Sequence, residues 1–267
     1  MDHEPGDERG RVPGAGAPAR IPAGAGADRA QARRQVGRVG ARRLRGPRAA
    51  AVSRRRLEVW ITGGGTREPI DAVRWIGNVS TGRMAGELAR AAAARGHRVT
   101  LFLAAHAPAP RSRSIRVIRF VTTADLAAVL RGRRRSPDAI AHAAAVSDYA
   151  PRPRRGKVPS GADRWSVELR PLPKLAPGLR RRHPRAMLLL FKLEAGIARA
   201  RLFARAAATA RAAGADAIFA NRLEEVGAEH RGWLVDPSGG VPREASTRAA
   251  AARMIVREFE SRAGRRR

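Results

Sequence analysis

Leu57-Glu58-Val59-Trp60-Ile61-Thr62-Gly63-Gly64-Gly65 is the stretch that decides the fold. A short run of β-branched and apolar residues stops abruptly at three glycines, so residues 57–62 read as a strand that ends in a tight loop. A long polar loop continues to about Thr81. Residues 82–95 then read as a helix, with Met84, Leu88, Ala91 and Ala92 on one face, and Gly96 stands where a helix C-terminus favours glycine. Residues 98–103 are a second strand. The unit is strand–helix–strand, with a right-handed crossover.

The same alternation continues outward. Residues 115–121 read as a strand, and Thr123 caps a short helix that ends at Arg131. Residues 138–146 are nearly all apolar, as expected for the middle of a parallel sheet. Residues 151–163, rich in Pro, Gly and Arg, read as a mobile loop, and residues 165–170 as an antiparallel strand. A short helix over 173–182, a buried strand over 186–191, a long Ala/Arg helix over 197–213 ending at Gly214, strands over 216–220 and 233–235, and a helix over 246–260 complete the pattern. It predicts an α/β fold, a Rossmann-like doubly wound and mostly parallel sheet with helices on both faces.

The composition agrees. Of 267 residues, 43% are hydrophobic but only 4% aromatic, so the core must be built from Ala, Val, Leu and Ile. The absence of cysteine excludes disulfides and thiolate metal sites. No apolar run reaches the ~20 residues of a membrane helix, and the N-terminus lacks the apolar segment of a secretory signal, so a cytoplasmic location and no membrane partner are expected. The formal charge of +31 taken alone points to nucleic acid. Arginine displaces lysine throughout and alanine fills many positions, which is the mark of a GC-rich coding bias, so nucleic-acid binding is kept as a minor alternative. Residues 1–53 alternate Gly, Pro, Ala and Arg without periodicity and read as a disordered arm. Val52 could stem from an alternative initiation codon just ahead of the first strand. The functional alternative is a basic arm for an anionic partner, against which stands the lack of interleaved aromatics. One domain over 54–262 and a basic tail over 263–267 follow.

Ligands of such sheets sit beyond the carboxyl ends of the strands, and four segments fall there. Gly63-Gly64-Gly65-Thr66-Arg67-Glu68-Pro69-Ile70-Asp71 runs on to Asn78-Val79-Ser80-Thr81-Gly82-Arg83 at a helix start, which suits a phosphate cradle; an ordinary tight turn is the alternative. It is neither a P-loop nor GxGxxG. Ala143-Ala144-Ala145-Val146-Ser147-Asp148-Tyr149 would let a ligand lie on bare backbone, with Asp148 accepting hydrogen bonds, facing a metal or merely capping. Lys157, between Gly156 and Gly161, could close over phosphates or be one more surface cation. Phe191-Lys192-Leu193-Glu194 and Ala220-Asn221 end the last two parallel strands, where Phe191 could stack on a base or pack in the core and Asn221 could bind or cap.

Taken in order, these segments resemble one family. Thr62 to Asp71 with Asn78 to Gly82, Ala144 to Tyr149, Lys157-Val158 with Ser160, Pro173-Lys174-Leu175, Phe191 to Glu194 and Ala220-Asn221 are similar to the motifs of phosphopantothenoylcysteine synthetase, the phosphopantothenate–cysteine ligase of coenzyme A biosynthesis. The resemblance spans about residues 57–260. It implies a ligase that activates the carboxylate of 4′-phosphopantothenate with CTP or ATP and Mg²⁺, releases pyrophosphate, and joins the acyl-nucleotide to the amine of L-cysteine. By motif position Asn78 would hold the acyl-nucleotide and promote its conversion. Ala144 and Ala145 would meet the pantothenate, Asp148 the nucleotide or its sugar, and Lys157 the triphosphate from a flap. Gly64, Ser80 and Gly82 would line the phosphates, and Phe191 and Asn221 the base region. Catalytic roles thus fall to Asn78 and Lys157, and Mg²⁺ would be held mainly through the phosphates. The resemblance also implies a homodimer built on a small flap and dimerisation extension, with no flavin; nucleic-acid binding stays the minor alternative. Pro159, Ala85 and the lack of lysine in the 197–213 helix depart from the family pattern. Phe-Lys-Leu-Glu and Pro-Lys-Leu look more like the ATP-using branch, so the choice between CTP and ATP stays open. A Rossmann-type NAD(P) oxidoreductase is the other enzyme alternative, disfavoured by the missing GxGxxG.

Overall fold

The computed structural model describes residues 55–227 and 230–265. The expected arm over 1–53, and the alternative start at Val52, lie outside the described residues.

Six strands run parallel: β1 (Glu58–Gly63), β4 (Arg98–Ala104), β5 (Ile115–Phe120), β6 (Ala139–His142), β9 (Met187–Glu194) and β10 (Ala217–Arg222). The antiparallel β11 (Gly232–Val235) and β12 (Arg243–Ala245) extend one edge, giving the order β12-β11-β10-β9-β6-β1-β4-β5. In chain order the six parallel strands lie 6-5-4-1-2-3, the doubly wound arrangement the alternation predicts. Five helices cover the sheet: α1 (Arg83–Ala94), α2 (Thr123–Arg131), α3 (Leu175–Arg182), α4 (Arg199–Ala213) and α5 (Arg248–Arg265). α1 packs on α5 and α3 packs on α4. Two short ribbons stand apart from the main sheet: β2 (Arg67–Pro69) with β3 (Trp75–Gly77), and β7 (Tyr149–Pro151) with β8 (Leu169–Pro171).

β1 is central because Val59, Trp60 and Ile61 bury side chains on both faces. Trp60 meets Phe102 of β4 edge-on, with ring centroids 5.5 Å apart, a favoured aromatic geometry. The buried face of α1 is Ala85, Leu88, Ala89 and Ala92, with Met84 and Ala91 at its margin rather than at its centre. Small residues let α1 lie close to β1: a Cβ on Gly63 would sit 2.2 Å from Ala85 Cβ. At the far end of α1, Gly96 takes φ 84 and its N–H reaches Ala93 O, as a glycine after a helix should. His97 Nδ1 accepts the Leu57 N–H, so its Nε2 carries the proton and donates to Glu260 Oε1 at 3.2 Å. Arg95 grips the same carboxylate through two bonds of 2.7 and 2.6 Å, which ties α5 to α1.

Several expected boundaries move, each for a local reason. Thr122, not Thr123, caps α2: its side chain accepts the Asp125 N–H while Asp125 Oδ2 accepts the Thr122 N–H. α3 begins at Leu175, after Pro171 and Pro173 have held the chain extended. α4 begins at Arg199, after an extended Ala198. α5 begins after Thr247, whose hydroxyl accepts the Ala250 N–H, and runs to Arg265, so it takes in the start of the expected 263–267 tail. β6 stops at His142 instead of residue 146, because the following alanines turn to bond with the end of β1. The strand expected over 165–170 shrinks to β8, paired with β7. β9 and β10 each run further, to Glu194 and Arg222. The β2–β3 hairpin lies in what reads as a continuous loop. Among the described residues, no helix is long and apolar enough to cross a membrane.

Candidate functional site

Strand order reverses between β1 and β6: the chain leaves β1 toward β4 and β5, and leaves β6 toward β9 and β10. The crevice at the carboxyl ends of these two strands is where doubly wound sheets bind ligands. Gly63, Gly64 and Gly65 form one wall and residues 143–147 the other.

The glycines are there for space. Gly64 adopts φ 84, and a Cβ on it would fall 2.5 Å from Ala104 Cβ. A Cβ on Gly65 would fall 2.1 Å from the carbonyl oxygen of Asn78. Gly82, the residue just before α1, adopts φ 70, and its Cβ would lie 3.4 Å from the Gly64 nitrogen. The glycine loop thus meets the N-terminus of α1 backbone to backbone. Gly82 has no side chain to cap α1, the Arg83 N–H reaches Thr81 Oγ1 at 3.4 Å, and the first turn holds no acidic residue. The remaining amides of its first turn and its positive dipole end stay available to an anion. Gly64, Ser80 and Gly82 come together as expected, since the Ser80 nitrogen also lies 3.6 Å from the position of a Gly65 Cβ.

Neutral hydrogen bonds lock the two walls, with the buried Glu68 carboxyl behind them. Ala145 N–H donates to Gly64 O at 2.9 Å and Thr66 N–H to Ala145 O at 3.2 Å. Buried Thr66 accepts the Ser147 N–H and donates its hydroxyl to Ser147 Oγ, both at 2.9 Å. Thr123 gives its single hydroxyl proton to buried Glu68 Oε1 at 2.7 Å, and Thr66 Oγ1 lies 3.3 Å off. Asn78 bridges the cleft, its Nδ2 donating to Val146 O at 3.2 Å and to Ala145 O at 3.5 Å. Its Oδ1 has no protein partner among the described residues. Asn78, Ala144 and Ala145 are therefore gathered with the glycine loop.

His142 belongs to this cluster and sequence reasoning missed it. Its Nδ1 lies 2.9 Å from Thr62 Oγ1, which also accepts the Ala144 N–H. Burial pushes its imidazole down to about 4, so it is neutral near pH 7. The signal was a lone polar residue inside the apolar run of residues 139–146.

The remaining expected residues stand further out. Asp148 is exposed and paired with Lys174. Lys157 is exposed, and its loop is fastened to the β2–β3 turn: Ala72 N–H donates to Gly156 O at 3.0 Å and Val158 N–H to Asp71 Oδ2 at 3.1 Å. Asp71 also accepts from the Val73 and Arg74 amides, and bonds from Val73, Val158 and Arg74 outweigh burial and hold its carboxyl below its usual value. No hydrogen bond joins Lys157 to the glycine loop. Phe191 packs on Phe219 with ring centroids 5.7 Å apart, so it serves the core first. Asn221 is buried at the end of β10, and its side-chain amide has no hydrogen-bond partner among the described residues. β10 is two strands from β6, about 10 Å across the sheet. Burial would raise the Glu194 carboxyl, but ion pairs with Lys192 at 3.2 Å and Arg205 at 3.1 Å bring it below its usual value. Among the described residues, no three His, Asp or Glu side chains converge as a metal cage.

Known proteins share this frame. The profile of the DNA/pantothenate metabolism flavoprotein C-terminal domain family matches residues 55–261. A cysteine/cysteine sulfinic acid decarboxylase from an unknown prokaryotic organism is 33% identical over 209 residues, 75% of this chain and 57% of that protein. The coenzyme A biosynthesis bifunctional protein CoaBC of Thermococcus kodakarensis is 33% identical over 174 residues, 64% of this chain and 42% of that protein. The chain thus spans about half the length of these relatives. The crystal structure of the DNA/pantothenate metabolism flavoprotein from Streptococcus pneumoniae superposes with a TM-score of 0.72 at 23% identity, covering 77% of this chain and 99% of that one, and shares its fold. With the profile matched from just before β1 to near the end of α5, the chain belongs to the family of the DNA/pantothenate metabolism flavoprotein C-terminal domain.

Proposed function

We propose that the chain is a phosphopantothenate–cysteine ligase acting in the cytoplasm. The observation that carries this reading is the meeting of Gly64, the N-terminus of α1 at Gly82, and the Asn78 amide at one crevice. Such a site needs no protein nucleophile. It holds two anions, the triphosphate and the phosphopantothenate carboxylate, in line for attack at the α-phosphorus. Pyrophosphate leaves, and the cysteine amine then displaces the nucleotide from the acyl carbon to form an amide. Backbone amides at Gly64, Ser80 and Gly82 hold phosphate oxygens. Asn78, fixed by Val146 O, presents its free Oδ1 to the acyl-nucleotide. Ala144 and Ala145 give the pantothenate bare backbone. Lys157 closes on the triphosphate as its loop moves with the β2–β3 hairpin, and Asp148 exchanges Lys174 for the sugar. The unpartnered Asn221 amide reads the base, with Phe191 beneath it. Mg²⁺, carried on the triphosphate, would neutralise its charge beside Gly64, Ser80 and Gly82. The family matches and the kinship with a bifunctional protein of coenzyme A biosynthesis support this reading.

The ribbon extension carries exposed apolar residues, among them Trp75, Ile76, Val79 and Trp165. A second copy of the chain covers them in the proposed homodimer, which sedimentation of the wild type against Trp75→Arg would check. The ligase reading is tested by pyrophosphate release with phosphopantothenate, Mg²⁺, cysteine and either CTP or ATP. Cysteine-dependent turnover with one nucleotide supports it and identifies the nucleotide. No such turnover with either defeats it. Asn78→Ala should accumulate acyl-nucleotide, and an unchanged overall rate would remove its role.

A further inference from the structure

The opposite end of the sheet carries charge that the cleft does not use. Arg56 ahead of β1, Arg98 at the start of β4, and Arg113 and Arg116 around the start of β5 line a basin of about 620 Å³. Arg133, Arg134 and Arg135, between α2 and β6, close its other side. Seven arginines thus face one carboxylate, Glu58. Elsewhere ion pairing is common: adjacent Arg55 reaches Asp138 at 2.6 Å, and Arg95, Arg180, Arg199, Arg205, Arg222 and Arg262 each hold an acid. None of the seven pairs with a carboxylate among the described residues. The Nε of Arg133 is buried there without any hydrogen-bond partner.

Like charges gathered in a concave surface focus a positive potential. Guanidinium forks match phosphate oxygens two at a time, which a point-charge lysine does not. No aromatic side chain lines the basin, so a nucleic-acid base would find nothing to stack on. Seven guanidinium groups gathered around one open basin suit an anion with its charges close together, better than a peptide whose carboxylates are spread along a chain. We propose that this basin at the amino ends of the strands binds a compact polyphosphate, three or more adjoining phosphates, as a site separate from the cleft. The proposal is independent of the ligase reading.

The experiment uses the full chain with inorganic triphosphate at about 0.1 M salt, where exposed charges are partly screened. Hydrogen–deuterium exchange should show protection over residues 113–116 and 132–135, and calorimetry should show binding weakened at least about tenfold in R98A/R116A. Arg98 and Arg116 are both exposed. If that variant is poorly folded, R113A/R134A asks the same question outside the strands. ATP in place of inorganic triphosphate separates the two sources: protection of the basin by both assigns the site to any triphosphate, and protection by the inorganic anion alone assigns it to free polyphosphate. No protection in these segments, unchanged affinity in both variants, or equal binding of monophosphate or hexaglutamate overturns the proposal. So does an oligonucleotide that protects the basin where triphosphate does not.

Discussion

The two ends of one sheet follow opposite electrostatic plans. At the carboxyl ends the cleft is built from neutral groups: glycine backbone, the Thr66–Ser147 pair, the Asn78 amide and a histidine held uncharged by burial. At the amino ends seven arginines share a basin, none paired with a carboxylate among the described residues. Both arrangements favour anions, by different physics. Fixed amides hold an anion in one geometry, as chemistry requires. Guanidinium groups on long side chains attract and fork onto an anion from mobile stems, with less preset geometry than fixed backbone amides. A net charge of +31 therefore says little about where the candidate site sits.

The sharpest way to break this contrast is to move the neutral cleft by one methyl group. Gly65→Ala places a Cβ 2.1 Å from Asn78 O, and backbone must yield. Displacing reacting groups by about 1 Å costs on the order of a hundredfold in rate, so cysteine-dependent pyrophosphate release should fall by about that much. Gly178→Ala in α3, where a Cβ meets nothing within 4 Å, is the control and should keep its rate. Wild-type turnover in Gly65→Ala would mean that the loop is not the cradle.

The next effect is on stability. His142 is lowered to about 4 in the fold, while an unfolded histidine titrates near 6.5. Between those values the unfolded chain binds more protons, so stability falls as pH drops from 6.5 to 4 and then levels off. The full contribution is about 3 kcal/mol. Burial lowers His183 and His230 as well, so His142→Gln should reduce the slope of urea stability against pH without abolishing it. An unchanged slope would show that the cleft tolerates a charged imidazole. Thr66→Val should cost about 1–3 kcal/mol, because it leaves the buried Ser147 N–H without its acceptor. A midpoint within error of wild type would detach that hydroxyl from the locking of the walls.

The contrast was half legible in the sequence. Strand–glycine–helix order and apolar runs identify the sheet because periodicity and glycine placement are local properties. Gly64, Asn78, Ser80, Gly82, Ala144 and Ala145 could be named because their motifs resemble, in order, those of one family. The β2–β3 hairpin escaped: its apolar residues are exposed, so no alternation marks it. His142 escaped because its neutrality comes from the tertiary burial around β6. Phe191 shows the converse. An aromatic at a strand end suits a base, yet its first partner is Phe219 on the neighbouring strand. The arginine basin could not be read at all, since its members come from four separate segments that only the sheet order brings together.

The smallest expected effect probes the amino end itself. Arg116 is exposed on β5, opposite Thr100 in register, and no acid holds it. If the basin's arginines repel one another, Arg116→Glu relieves that repulsion and supplies a carboxylate to its neighbours. The gain should be under about 1 kcal/mol at low salt, the range of surface charge effects. Added salt should erase it, because the Debye length shrinks to about 3 Å at 1 M. Urea midpoints at low and high salt give the sign directly. In wild type, salt should raise the midpoint by screening the basin, and in Arg116→Glu it should raise it less. A variant less stable than wild type at low salt would mean that these guanidinium groups are compensated in solution, and the two ends of the sheet would no longer differ in kind.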